Sequence, residues 1–197
     1  VLGAVALIFV PNRQRFLVQM IAAGSSFVSF ILSFYLLYAY DPTVGGYQFV
    51  QRFEWSENLG IAFALGVDGI AVPLVLASSI LLFTGTFISW HIKDRLKEFY
   101  ISLLILAAAT IGVYVSLDLF FLYFFYELSV LPMYLLLGMW GSHTKNYNEM
   151  KDTQKRDFVG FIMNFTSNSK EYAAMKLVLF LSAGAVVALL GILLIYV

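Results

Sequence analysis

Apolar segments of about twenty residues recur along this chain and alternate with short polar connections. A helix of that length spans a bilayer, because it rises about 1.5 Å per residue across a hydrocarbon core of roughly 30 Å. The strands of a membrane barrel would instead alternate apolar and polar positions over about ten residues, and no segment has that pattern. The pattern predicts an all-α fold class, a polytopic bundle of transmembrane helices.

The apolar pattern predicts six spans. The first ends near Val10, the second covers about 16–40, the third about 70–90, and the sixth runs from about 172 onward. The fourth and fifth divide the stretch 99–140, which is about twice as long as the core is thick and must turn once, near Asp118. Between the second and third spans we expect a polar connection that reaches about Gly66.

Both ends of the chain lie in apolar sequence. Ten apolar residues, too few to span, precede Pro11, and the last residues continue an apolar run. We therefore expect 1–197 to be a single membrane domain and a fragment of a longer protein.

The charges of the connections alternate between high and low. Lys and Arg are more frequent after spans one, three and five than after spans two and four, as the positive-inside rule requires. This places the loop 141–171 outside the membrane on the cytoplasmic or matrix side. Its apolar patch 158–165 is too short to span; we expect a solvated loop, with an interfacial helix or a contact with a neighbouring subunit as the alternatives.

Composition narrows the class. The chain is 61% hydrophobic and 12% charged, against about 25% charged in soluble domains. Its zero net charge gives no indication of a nucleic-acid partner. Because the chain is so rich in apolar residues, we expect it to be surrounded mainly by the lipid bilayer. The absence of cysteine excludes disulfides and cysteine-ligated iron–sulfur or zinc sites. The two histidines, His91 and His143, lie in different loops, which argues against a bis-histidine haem.

Glu127 lies in the most apolar part of the chain, within the fifth span. A charged side chain at the bilayer centre costs roughly 2.5–3.5 kcal/mol on insertion scales, and such residues usually have a function. Glu127 follows Asp118 by nine residues, which is about 13 Å into the core and close to its midplane. Two hypotheses stay open: a proton carrier, which we favour, and a protonated carboxyl group that only holds two helices together.

The helix face of Glu127 continues through Tyr123 and Tyr134, which are in position to hydrogen-bond with it or with water. Pro132 lies inside the same helix, removes the hydrogen bond to the carbonyl four residues before it, and tends to kink the helix. A free carbonyl beside the carboxylate favours bound water. We therefore assign supporting roles to Tyr123, Pro132 and Tyr134.

Lys176 lies near the start of the sixth span, on the basic side. Snorkelling to the interface explains it on spacing alone, and a role in proton passage is the alternative. It is about 12 Å shallower than Glu127, so it is a poor direct partner for the carboxylate.

Other polar residues near the spans have structural explanations. Asp118 and Asp68 each precede a helix and are expected to cap it, because an aspartate there satisfies free N–H groups and suits the helix dipole. His91 is expected at the interface. Four hydroxyl residues of the third span fit either a polar path or helix packing: Ser78, Ser79, Thr84 and Thr86.

Several stretches resemble the antiporter-like proton-pumping subunits of respiratory complex I, in particular the M-type subunit, the counterpart of mitochondrial NADH dehydrogenase subunit 4. They are Leu-Gly-Val-Asp-Gly at 65–69, Trp90, the run 118–134 with its Glu-x-x-x-x-Pro-Met-Tyr, Trp140-Gly141, and residues 172–176. The loop from Ser142 to Lys170 departs from this pattern, since it is longer than we expect there.

The resemblance implies a larger fold of about fourteen helices with two inverted repeats, of which this chain holds the N-terminal part. It implies that Glu127 is the essential carboxylate of the fifth helix and works with lysines on later helices. No cofactor is expected in this chain; NADH, flavin, iron–sulfur clusters and quinone belong to partner subunits, both membrane and peripheral. We expect a multi-pass protein of the bacterial inner membrane, with the mitochondrial inner membrane as the alternative.

Two other functions stay open at this point. The chain is alternatively a subunit of a multisubunit cation/proton antiporter or a membrane-bound hydrogenase. In a different class, it is a scaffold subunit that transports nothing, in which Glu127 is only a packing residue.

Overall fold

A computed structural model describes residues 1–11, 14–56, 61–92, 94–141 and 170–196. Its elements are, in chain order, α1 (Leu2–Phe9), α2 (Arg15–Ala39), β1 (Gln48–Ser56), β2 (Ile61–Val67), α3 (Ala71–Ile88), α4 (Leu96–Val115), α5 (Leu119–Trp140) and α6 (Lys170–Tyr196). A single 3-10 turn, Ser89–His91, extends α3.

Five of the described helices are long and apolar enough to cross a membrane, namely α2 to α6. They correspond to predicted spans two to six, and the predicted turn at Asp118 separates α4 from α5. The all-α, multi-pass architecture is therefore confirmed. At the place of the first span, α1 has eight residues, which is too short to cross by itself. That it continues a longer helix stays a prediction.

The connection between α2 and α3 lies where it was predicted and contains secondary structure that was not predicted. It folds as an antiparallel hairpin of β1 and β2, in which Phe53 pairs with Phe63 and Gln48 with Val67. Aromatic and β-branched residues favour strands, and this interval contains several of them. The hairpin was not predicted, because the interval was judged only by its polarity between two spans.

The helix α4 lies at the centre of the bundle. It packs against α1, α2, α3 and α5, while α6 packs along α5. Tyr100 of α4 is fully buried, and its hydroxyl donates to the backbone carbonyl of Thr86 on α3 at 3.2 Å. Leu7, Val18 and Leu104 belong to the same apolar core. A buried tyrosine usually finds such a hydrogen-bond partner, so this contact fixes α3 against α4.

The connections that are rich in Lys and Arg meet at one end of the bundle. Lys97 Nζ donates to the carbonyls of Ile8 and Val10, at 2.9 and 2.8 Å, at the end of α1. Trp140 Nε1 donates to the carbonyl of Asp94 at 3.0 Å. The hairpin and Asp118 lie together at the other end. The positions of these two ends agree with helices that cross the membrane in alternating directions, as the alternating loop charges predicted. The compartment that each end faces stays a prediction.

Candidate functional site

Glu127 lies on α5, whose start is held by Asp118. Asp118 is the N-cap: its Oδ1 accepts the N–H groups of Phe120 at 2.8 Å and Phe121 at 3.3 Å. Its Oδ2 accepts the N–H group of Ala62 in β2 at 3.2 Å. One carboxylate therefore satisfies free N–H groups of the first turn and ties the hairpin to the helix, nine residues before Glu127.

The hairpin also covers the start of α5 with aromatic rings. The ring of Phe121 lies 4.9 Å from Phe63 and 6.0 Å from Trp55, both in edge-to-face arrangements. Such pairs contribute roughly 0.5–1.5 kcal/mol beyond the area that they bury. Sequence reasoning missed this cover, although the aromatic residues of the connection were a usable signal.

The helix α5 uses two different faces for its two neighbours. On the face toward α4, Phe125 of α5 packs against Gly112 of α4. A Cβ built on Gly112 would lie 2.6 Å from the ring of Phe125, so only glycine fits there. Toward α6, a Cβ built on Gly138 would lie 3.8 Å from the Cβ of Ala174, an ordinary contact. Glu127 precedes Gly138 by eleven residues, which is about three turns of helix. Glu127 therefore lies on the face that packs against α6.

One oxygen of the Glu127 side chain is enclosed, in a residue that is partly buried. Its Oε1 is buried and has no hydrogen bond with any described residue. Tyr123 and Tyr134 lie on the same helix face, as predicted, but neither donates to Oε1. Leaving a buried acceptor unpaired costs about 1–3 kcal/mol, so such a group in a native structure calls for an explanation. An acceptor that is kept free is available to exchange a proton.

Pro132 is buried inside α5, and the helix continues through it. Because proline has no N–H group, the carbonyl of Leu128 loses its usual partner in the helix. Close by, the hydroxyl of Ser129 donates to the carbonyl of Tyr126 at 2.6 Å. The backbone next to Glu127 is thus locally rearranged in its hydrogen bonding. The kink and the bound water stay predictions.

Lys176 is exposed on α6 and lies two residues after Ala174. Since Ala174 contacts Gly138, Lys176 lies level with the last turns of α5, roughly 13 Å along the helix from Glu127. No ion pair joins the two within the described residues. The structure does not bring Lys176 and Glu127 together, in line with the predicted difference in depth.

The N-cap position of α3 is Ile70, without a side-chain cap bond, and Asp68 lies two residues before it. The Oδ1 atom of Asp68 accepts hydrogen bonds from the N–H groups of Ile70 at 3.2 Å and Ala71 at 2.7 Å. The backbone carbonyl of Asp68 accepts a hydrogen bond from the N–H group of Val72 at 3.2 Å. His91 is exposed at the end of the 3-10 turn, near the basic end of the bundle.

The hydroxyl groups of α3 mostly bond within their own helix. Ser79, Thr84 and Thr86 donate to the carbonyls of Val75, Ile80 and Leu82. These bonds use the donors locally, which favours the helix-packing interpretation over a polar path across the membrane.

Some predicted features lie outside the described residues. They are the body of the 141–171 loop, its apolar patch 158–165, and His143. Across the residues that the structure describes, no group of three or more His, Asp or Glu side chains is placed to hold a metal ion.

Comparison with known proteins gives consistent relatives. The chain is 32% identical over 150 residues to NAD(P)H-quinone oxidoreductase chain 4-2 of Synechocystis sp., covering 76% of this chain and 27% of that protein. It is 37% identical over 131 residues to NADH-quinone oxidoreductase subunit M of Rhodobacter capsulatus, covering 66% and 25%. The subunit M of Rickettsia typhi is 34% identical over 141 residues, covering 71% and 28%. The chain thus spans about a quarter of the length of these relatives. No protein-family model matches it.

Proposed function

The chain belongs to the family of NADH-quinone oxidoreductase subunit M and NAD(P)H-quinone oxidoreductase chain 4, and from this we propose that it is part of a proton-translocating membrane subunit of an NADH:quinone oxidoreductase. Glu127 is its proton carrier near the middle of the membrane. The observation that carries this proposal is the enclosed Oε1 of Glu127, which has no hydrogen-bond partner in the described part of the chain.

The chemistry of a carboxyl group suits this role. In a medium of low dielectric the neutral acid is cheaper than the anion, whereas a cation brought close favours release of the proton. A cation that approaches and withdraws during turnover therefore makes the same group release and take up a proton. The cation is not Lys176, which lies roughly 13 Å away along the helix, so it belongs to another helix or subunit or acts through water.

The remaining residues of the site have supporting roles. Tyr123 and Tyr134 lie one turn before and two turns after Glu127 on the same face and provide hydroxyl groups for water or for a rotated carboxyl group. Pro132 frees a carbonyl next to the carboxylate. We assign Lys176 to proton passage at the basic end of the bundle.

The partners follow from the family. The membrane and peripheral subunits of the complex hold NADH, flavin, iron–sulfur clusters and quinone, and this chain holds none of them. Residues 1–197 form one membrane domain, with 141–171 as a loop on the cytoplasmic side of a bacterial inner membrane. The named relatives are bacterial, which supports this location over the mitochondrial one. Their names also favour a quinone oxidoreductase over an antiporter or a hydrogenase.

The test is Glu127→Gln in the assembled complex, reconstituted in vesicles, with protons moved per NADH oxidised as the measurement. Glutamine keeps the size of the side chain and removes the titrating proton. We expect assembly and quinone binding to persist and proton transport to fall. The matched control is Glu98→Gln, at the exposed start of α4, where only the ion pair with Arg95 at 2.8 Å is lost. Wild-type transport by the Glu127 variant would establish the scaffold hypothesis instead.

A further inference from the structure

Two alanines mark the face of α6 that packs against α5. Ala174 has no exposed surface and Ala185 has 2%, whereas Val186 and Val187, next to Ala185, are 56% and 69% exposed. The neighbour against which α6 packs is α5. Both alanines are therefore buried against α5, separated by eleven residues, which is about three helical turns.

The same spacing occurs on α5. Gly138, near the end of α5, contacts Ala174, near the start of α6, so two helices that pack along their length run antiparallel. Moving eleven residues back along α5 from Gly138 reaches Glu127, and moving eleven residues forward along α6 from Ala174 reaches Ala185. Eleven residues return each helix to the same face, about 16 Å further along. This register sets Glu127 opposite Ala185.

The buried position of α6 opposite Glu127 holds a small side chain, Ala185. Ala185 ends the run Ser182-Ala183-Gly184-Ala185, in a helix that is otherwise rich in Leu, Val and Ile. Small residues let two membrane helices approach closely. Within this run Ala183 and Gly184 are exposed and Ala185 is buried, so Ala185 is the small residue set opposite Glu127, whose Oε1 is enclosed and has no partner among the described residues. A larger side chain at this position would extend toward that oxygen.

We propose that Ala185 is a positioning residue of the proton site. Its methyl group lets α6 close over Glu127 without placing a bulky side chain or a hydrogen-bond donor against the enclosed Oε1, so the carboxyl group stays able to exchange its proton. The proposal rests on the proposed function of Glu127 and adds that α6 sets the access to its carboxyl group.

The test compares Ala185→Leu with Ala174→Leu in the assembled complex. Both add the same atoms at a buried alanine of the same interface, but one faces Glu127 and the other faces Gly138. We expect proton transfer at Glu127 to slow by roughly a hundredfold in the first, as when a reacting group is displaced by about 1 Å, and the protons moved per NADH to fall as a result. The second is expected to lose stability while keeping transport close to the wild-type ratio. An equal loss in both would show that Ala185 acts only through packing and would overturn the proposal.

Two further variants separate this proposal from the proposed function. In the background of Glu127→Gln, Ala185→Leu is expected to reduce transport no further, because both changes act at one site. If Glu127→Gln keeps wild-type proton transport, the proposed function of Glu127 is wrong. If Glu127→Gln loses transport but Ala185→Leu keeps it, only the proposed role of Ala185 is wrong. Should Ala185→Leu not assemble, Ala185→Ser decides. Its added hydroxyl is expected to shift the infrared carboxyl band of Glu127, and an unshifted band overturns the proposal.

Discussion

Replacing Asp118 with alanine tests whether this carboxylate caps α5 or carries protons. The change removes the acceptor of two N–H groups of the first turn, at 2.8 and 3.3 Å, and of the Ala62 N–H group in the hairpin, at 3.2 Å. Loss of a helix N-cap costs about 0.5–2 kcal/mol. Loss of the bond to the hairpin adds about 0.5–1.5 kcal/mol. We expect the free energy of local opening at this end of α5 to fall by about 1–3.5 kcal/mol.

Amide hydrogen exchange in the assembled complex measures this loss. The expected change corresponds to exchange of the Ala62, Phe120 and Phe121 amides that is about 5- to 300-fold faster, at tenfold per 1.4 kcal/mol. Asp118→Asn is the control, since asparagine caps about as well as aspartate but does not titrate. It is expected to restore most of the protection and to keep proton transport. Loss of transport in Asp118→Asn, with protection intact, would refute the cap interpretation and make Asp118 part of the proton path.

Three further predictions concern packing, capping and titration outside the site. Gly112→Ala places a methyl group 2.6 Å from a phenyl ring of α5 and is expected to destabilise the subunit by about 1–3 kcal/mol in detergent unfolding. The control is Gly85→Ala, which has open space around it and is expected to be neutral or stabilising. Lys97→Met removes both hydrogen bonds to the end of α1, and amides of α1 should exchange about 5- to 30-fold faster; unchanged exchange would contradict this. The hydroxyl of Thr43, and then its N–H group, lower the pKa of Asp41 below 3.8, so the turn is stabilised above that pH and loses this stabilisation as the pH falls through the lower folded pKa. Titration of Asp41 by NMR in Thr43→Ala should show its pKa returning toward 3.8, and an unmoved value would contradict this cause.

The spans and the helix starts were predictable from the sequence for simple physical reasons. A helix must be long and apolar to cross the hydrocarbon core, so hydropathy and length alone located α2 to α6. An aspartate just before an apolar run has few other roles, so Asp68 and Asp118 pointed to the starts of α3 and α5. Glu127 stood out because a carboxylate in such surroundings is costly.

The contacts between elements were not predictable in the same way. The hairpin depends on pairing between β1 and β2, and neither strand has an apolar run long enough to register as a span. The choice of faces on α5 depends on Gly112 and Gly138, and a glycine in a sequence does not say which neighbour approaches it. Whether an acceptor is enclosed without a partner depends on atoms from several helices at once. The free Oε1 of Glu127 therefore required the structure.

Infrared difference spectroscopy of the assembled complex during turnover tests the central claim most directly, because it follows the proton on Glu127 itself. Selectively labelled glutamate and the Glu127→Gln variant together assign the carboxyl band. If Glu127 carries protons, a protonated-carboxyl band should change between the resting and the NADH-driven state and should disappear in the variant, along with proton transport. A Glu127 carboxyl group that stays in one protonation state throughout turnover, while protons are still moved, would contradict this claim.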